Sequence, residues 1–237
     1  MKGTSASAGI GIGKAAIVEE TELVIKKETI SDAAAEKERF QAALKQAMEE
    51  TEALAKDLAT RVGEKEAEIL NGHLMLLSDP MLTGEIENTI AGENACSEYA
   101  IENVCNMYAD MFASMGDELM QQRATDMRDI KTRMQKILLG VSSVDIASLP
   151  AGSIIVAKDL TPSMTAGINP DNVCGIVTEL GGKTSHSAIL ARALEIPAVV
   201  AVEGFLKNVK DGDTVVLDGS EGIVFVNPEE TVTAEYE

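Results

Sequence analysis

Residues 181–200 read GGKTSHSAILARALEIPAVV. Two glycines, a lysine and two hydroxyl residues precede His186, and a helix-like apolar run follows it. With Thr184 or Ser185 as the N-cap, the spacing predicts a helix through Ile189, Leu190 and Ala193, stopped by Pro197. A helix start presents unpaired N–H groups and a partial positive charge, which suits a phosphate. Gly181 and Gly182 let backbone approach closely, Lys183 adds charge, and Thr184, Ser185 and Ser187 add hydroxyl donors. A neutral imidazole, with an unperturbed pKa of about 6.5, is a competent nucleophile near neutral pH. A phosphoryl group on its ring nitrogen would be cradled by those donors and, because the P–N bond is labile, passed on. The neighbours Ile189, Leu190 and Ala193 place His186 on the apolar face, so the ring is expected to point inward or into a cleft.

Other readings of a lone histidine stay open on these residues alone. A core histidine bonded to a neighbour is its usual fate. A metal site lacks partners, because His73 is the only other histidine and falls in a different block of sequence. A Walker A loop is absent: Val177 stands where its first glycine would be needed. A Ser-His-Asp triad has no GxSxG elbow to support it.

The elements that must position this stretch have a strand-and-turn grammar. Ser153–Ala157, Val173–Val177, Ala198–Val200, Thr214–Leu217 and Ile223–Val226 read as strands. Asp211-Gly212-Asp213 and Asp218-Gly219-Ser220 read as turns. The Gly-rich residues 3–18 also look extended and are expected to join the same sheet. Between them, residues 31–140 read as helical. Ser31 or Asp32 caps a helix with the stripe Phe40, Leu44, Ala47, Leu54 and Leu58, broken near Gly63. Ala67, Leu70, Leu74 and Leu77 mark a second helix, ended by Ser78-Asp79-Pro80. A short helix follows with Leu82, Ile86 and Ile90. Two longer ones carry Ile101, Val104 and Met111, then Met127, Ile130 and Leu138. The expectation is a fold of α/β plus all-α type, with a bundle of four main helices inserted into an α/β unit. The acidic tail NPEETVTAEYE shows little apolar pattern.

Composition narrows the partners. The 237 residues suffice for one large domain or two small ones, with a core of Ala, Val, Ile, Leu and Met because Trp is absent. A formal charge of −19 repels nucleic acid and anionic membranes and favours a basic macromolecular partner. No stretch approaches the roughly 18 apolar residues of a membrane span, and no signal peptide is expected. Cys96, Cys105 and Cys174 form no CxxC and read as free thiols of a cytoplasmic protein. No metal site is expected in these residues. Glu66–Gln122 holds eleven Asp or Glu, no Lys or Arg, and six of the eleven methionines. Such a surface suits an adaptable contact, although any single Met is more simply read as core.

The stretch 181–200 resembles the phosphohistidine segment of the phosphoenolpyruvate-utilising enzymes, in which Gly-Gly-x-x-Ser-His precedes a helix and Ile/Leu-Pro-Ala. DLTPSMTAG, Asp159 to Gly167, is similar to the segment that precedes it in that family. GHLMLLSDPML, from Gly72, and RATDMRDIKTRM, from Arg123, resemble the helical domain of enzyme I of the sugar phosphotransferase system. The resemblance covers essentially the whole chain.

That resemblance implies a swivelling phosphohistidine domain from residues 1–20 and 144–228, with an inserted four-helix domain at 21–143 that binds the phosphocarrier HPr. Residues 229–237 would begin a linker to a further domain that binds phosphoenolpyruvate and Mg²⁺ and lies outside this sequence. His186 maps onto the histidine phosphorylated at Nε2, and Thr165 onto the hydroxyl that hydrogen-bonds its imidazole. His73, Met75, Leu76, Asp79, Leu82, Phe112 and Arg123 map onto the HPr-docking surface. Lys183 stands where an Arg is common, keeping charge but not bidentate geometry. The implied function is phosphoryl transfer from phosphoenolpyruvate to HPr, the first step of sugar uptake, with this part exchanging phosphoryl with HPr but lacking the phosphoenolpyruvate site. A phosphohistidine domain of a dikinase or phosphoenolpyruvate synthase, or a non-catalytic HPr-docking module, are the alternatives.

Overall fold

Asp32 starts the longest helix. Its carboxylate accepts from the amides of Ala34 and Ala35, and α1 runs Ala33–Arg61. Phe40, Ala43, Ala47, Thr51, Ala55 and Leu58 bury at helical spacing, a line centred on small residues. Leu44 packs at its margin. Gly63, at φ +154, breaks the chain before α2, Glu64–Leu77. Asp79 caps α3, Pro80–Glu93, with Pro80 in its first turn, and Asn94 ends it in a left-handed conformation. The helix expected to be short has 14 residues, as many as α2. Then come α4, Ser97–Ser114, and α5, Glu118–Leu139, capped by Asp117 and ended at Gly140. Phe40, Leu77, Ile86, Ile90, Ile101, Met127, Ile130 and Met134 form one core. At its edge the Arg39 guanidinium bridges Glu36 and Glu98, while the Ser97 amide donates to Glu36 at 2.8 Å.

The computed structural model describes residues 1–20, 22–142 and 145–237. The chain divides into two compact units, Met1–Glu20 with Val144–Glu237, and Thr21–Ser143. Positions 21, 143 and 144, where the sequence reading sets its domain junctions, lie outside the described residues. Among the described residues no helix is long and apolar enough to cross a membrane.

The first unit is a curled mixed sheet of seven strands. These are β1 Thr4–Ser7, β2 Ile10–Val18, β3 Ser153–Ala157, β4 Val173–Thr178, β5 Ala198–Val200, β6 Thr214–Asp218 and β7 Ile223–Val226. Their order is β1-β5-β4-β3-β2-β6-β7. β2, β3, β4 and β5 are parallel neighbours; β1 and β6 pair antiparallel with β5 and β2, and β7 with β6. A bridge from Lys2 to Ile223 and a bond from the Gly3 amide to Gly222 O, 2.8 Å, carry the first residues across to β7 and curl the sheet. Gly219 is required here, because a Cβ would overlap the Ser7 carbonyl.

Every residue of β3 is buried, as a parallel strand covered on both faces should be. Ile154 and Val156 join Val177, Val199, Phe205, Val215 and Leu217 on one face. Ile155 and Ala157 join Ile176, Ala188, Ala191 and Val200 on the other. That second face carries α6, Pro162–Ala166, and α7, His186–Ala193. The acidic tail forms a last helix, α8, Glu230–Tyr236, with Tyr236 against the Phe225 ring at 5.7 Å.

Candidate active site

The loops that leave the carboxyl ends of β3 and β4 lie side by side. The Glu179 amide donates to Ala157 O at 3.2 Å, and the Leu180 amide to Lys158 O at 2.9 Å. This end of a parallel sheet is where open α/β folds place ligands. From it, residues 158–161 lead into α6 and residues 179–185 into α7.

The second loop is built as a turn. Gly181 takes φ +100, a conformation disfavoured for residues with a Cβ. The Ser185 amide and hydroxyl both donate to Gly182 O, at 3.1 and 2.8 Å. Ser185 is the N-cap: its Oγ accepts from the Ala188 amide and lies 3.1 Å from Ser187 Oγ. Of the candidates Thr184 and Ser185, the structure therefore selects Ser185. Lys183 and Thr184 are exposed, Gly182 half-buried.

His186 occupies the first position of α7 and is half-buried, with both ring nitrogens screened from solvent. The helix face differs from the expected one. Ser187, Ala188, Leu190 and Ala191 are buried, whereas Ile189 is 41% exposed and Ala193 is exposed. The cause is packing: α7 lies on β1, β5 and α6 through the small side chains Ala188 and Ala191. His186 thus stands at the rim of the buried face, not at its centre.

Thr165 is buried in α6, beside α7, and its hydroxyl donates to Thr161 O at 2.9 Å. Asp159 lies just past β3 and is exposed as a residue, with its carboxyl partly desolvated. Burial raises its carboxyl above the ordinary range, opposed by the Leu160 amide, 2.9 Å away.

Sequence reasoning missed Arg192. Its Nη1 donates to Ala6 O at 2.7 Å and its Nη2 to Lys183 O at 2.8 Å, joining β1 to the loop. The available signal was a single arginine within the otherwise apolar run of α7.

The residues mapped to a docking surface divide in two. Met75, Asp79 and Arg123 are exposed, and Leu76 and Phe112 half-buried. His73 and Leu82 are instead buried, at 0% and 2% exposed. His73 falls on the buried line Ala67, Leu70, His73, Leu77, with Nε2 3.0 Å from Asp126 Oδ1. Leu82 lines up with Ile86 and Ile90 in the core. The single-Met expectation is reversed as well. Met75, Met81, Met107, Met111 and Met115 are between 44% and 73% exposed. Asp79, Asp110 and Asp117, within the same stretch of sequence, are exposed as well.

Comparison with known proteins decides the family. The description "PEP-utilising enzyme, N-terminal" matches residues 2–123, and "PEP-utilising enzyme, mobile domain" matches residues 149–222. The chain belongs to the PEP-utilising enzymes. Within them it is 41% identical, over all of its length, to phosphoenolpyruvate-protein phosphotransferase of Bacillus subtilis (strain 168), covering 42% of that protein. The same enzyme of Listeria monocytogenes is also 41% identical over the full chain, with 41% of it covered. The chain thus spans less than half the length of these relatives. A solution structure titled Enzyme I (nEIt) superimposes with TM-score 0.86 at 41% identity, covering 100% of this chain and 96% of that one. An N-terminal domain of "Enzyme 1 - Nitrogen" matches at TM-score 0.65 and 26% identity, covering 99% and 97%. The expected architecture, an α/β domain with an inserted helical domain, is borne out.

Proposed function

We propose that this chain is the phosphoryl-carrying part of a phosphoenolpyruvate-protein phosphotransferase, with His186 exchanging a phosphoryl group with the carrier HPr. One observation carries the reading. His186 opens α7 behind a glycine turn at the carboxyl end of the sheet, in a chain that matches such enzymes from end to end.

The step is a substitution at phosphorus. The Nε2 lone pair of His186 attacks the phosphorus of phospho-HPr. The P–N bond of the donor breaks and its electron pair returns to the HPr imidazole. The His186 proton must then sit on Nδ1. Because the Thr165 proton is committed to Thr161 O, that hydroxyl can act toward an imidazole only as an acceptor. In this reading it accepts a hydrogen bond from Nδ1–H, which keeps the proton off Nε2. The amides at the start of α7, its dipole and Lys183 favour the transferred dianion. The exposed methionines receive HPr, and the acidic residues around them suit a basic partner. Phosphoenolpyruvate and Mg²⁺ belong to the rest of such an enzyme. Among the described residues no cluster of His, Cys, Asp and Glu fits a metal, so no step here runs through one. Sugar uptake and a cytoplasmic location follow from the same reading, and the free Cys96, Cys105 and Cys174 accord with a reducing compartment.

The test uses phospho-HPr carrying a labelled phosphoryl group. The chain should acquire an acid-labile label, and His186→Ala should acquire none while still binding HPr. Label on His186→Ala would sink the assignment. Absence of HPr binding would instead favour a dikinase-type domain.

A further inference from the structure

The Arg192 guanidinium is shared between two backbone carbonyls far apart in sequence, Ala6 O at 2.7 Å and Lys183 O at 2.8 Å. We propose that Arg192 is a positioning residue for phosphoryl transfer: it clasps the 181–185 loop to β1 and so sets the orientation of the loop's peptides at the mouth of α7. This rests on the reading of His186 as the phosphoryl carrier.

The argument begins with peptide geometry. No described peptide bond is cis, and in a trans peptide the C=O and the following N–H point in opposite directions. Turning the Lys183 carbonyl onto Arg192 therefore turns the Thr184 N–H away from it. A carbonyl left free here would rotate, and its negative end would oppose an incoming phosphoryl group. The Gly182 carbonyl is already held by the Ser185 amide and hydroxyl. With Arg192 on the next carbonyl, two successive acceptors of the loop are engaged, and the Thr184 amide, unlike that of Ser185, is left for a ligand.

The clasp also needs an anchor. Ala6 is 4% exposed and lies in β1, which pairs with β5. Gly181 approaches β5 from the loop side, since a Cβ on it would lie 3.8 Å from Val200 Cβ. The loop thus starts beside β5 and is clasped to β1, the strand paired with it. Arginine suits the task because its planar fork reaches two acceptors at once; an ammonium is a compact charge without that geometry. Both partners named here are neutral carbonyls, so the positive charge stays near the helix mouth.

The experiment compares wild type, Arg192→Met and Arg192→Lys. In Arg192→Met the Ser185 amide, which donates to Gly182 O, should exchange hydrogen about tenfold faster, while the amides of β3 and β4 hold their rate. Transfer from phospho-HPr at saturation should fall about tenfold, with the half-saturating HPr concentration unchanged. Arg192→Lys should lie between the two. In wild type the two Nη groups should give separate NMR signals, because two carbonyls block rotation; this measurement stands even if a variant fails to fold. An averaged Nη signal, wild-type loop exchange in Arg192→Met, or transfer within about twofold of wild type would overturn the proposal. Faster exchange throughout β3 and β4 would also overturn it, showing a general staple. If wild type takes up no phosphoryl group, the His186 reading fails, while loop exchange still decides the clasp.

Discussion

In the proposed site, Thr165 and Gly181 act by different physics. Thr165 acts through a proton already spent. Thr165→Val loses the bond to Thr161 O and should cost about 1 kcal/mol of stability. Transfer to His186 should fall about tenfold, and Thr165→Ser should recover most of it. Equal transfer by wild type and the Val variant, measured with phospho-HPr, would remove Thr165 from the site. Gly181 acts through backbone alone. A Cβ there would meet Ser185 Oγ at 3.6 Å, an ordinary contact, so space is not the obstacle. Its φ of +100 is, and Gly181→Ala should destabilise by about 1–2 kcal/mol in urea unfolding.

At the scale of elements, α1, α4 and α5 are cross-linked by carboxylates that respond to acid. Burial raises the Glu36 carboxyl, but the Ser97 amide and hydroxyl and the Arg39 guanidinium outweigh it, leaving it below the ordinary range. Glu102 is likewise raised by burial and lowered more by Gln135, Lys131 and Asn106. A carboxylate depressed on folding contributes stability that is present above its unfolded pKa, about 4.3, and lost as pH falls through its folded value. The helical unit should therefore lose thermal stability as pH drops below about 4.3, as read by its melting temperature. Glu36→Gln should flatten that limb; an equally steep limb in the variant would place the acid sensitivity elsewhere.

At the scale of the molecule, each unit carries its own core. The helical core draws only on α1–α5 and their flanks, and the two sheet faces draw only on the other unit. Residues 22–142 alone should therefore fold, bind HPr with the affinity of the whole chain, and accept no phosphoryl group. With a net charge of −19 on the chain, that affinity should weaken as salt rises and the Debye length shrinks below about 10 Å. Calorimetric titration at two salt concentrations checks both statements. Affinity that is independent of salt would show that the acidic face does not steer the encounter.

Local chemistry was legible in the sequence because it depends on neighbours along the chain. The glycines, hydroxyls and histidine of 181–187, the cap at Asp32, the break at Gly63 and the strand-forming runs all follow from propensity and spacing. Tertiary packing decided what a period of 3.6 leaves open, namely which side of a helix is covered. That is why His73 and Leu82 turn inward, five methionines turn outward, and His186 sits at a rim. It also decided the Arg192 clasp. No local pattern announces a side chain that joins Ala6 to Lys183, because those residues meet only once β1 has paired with β5 beneath α7.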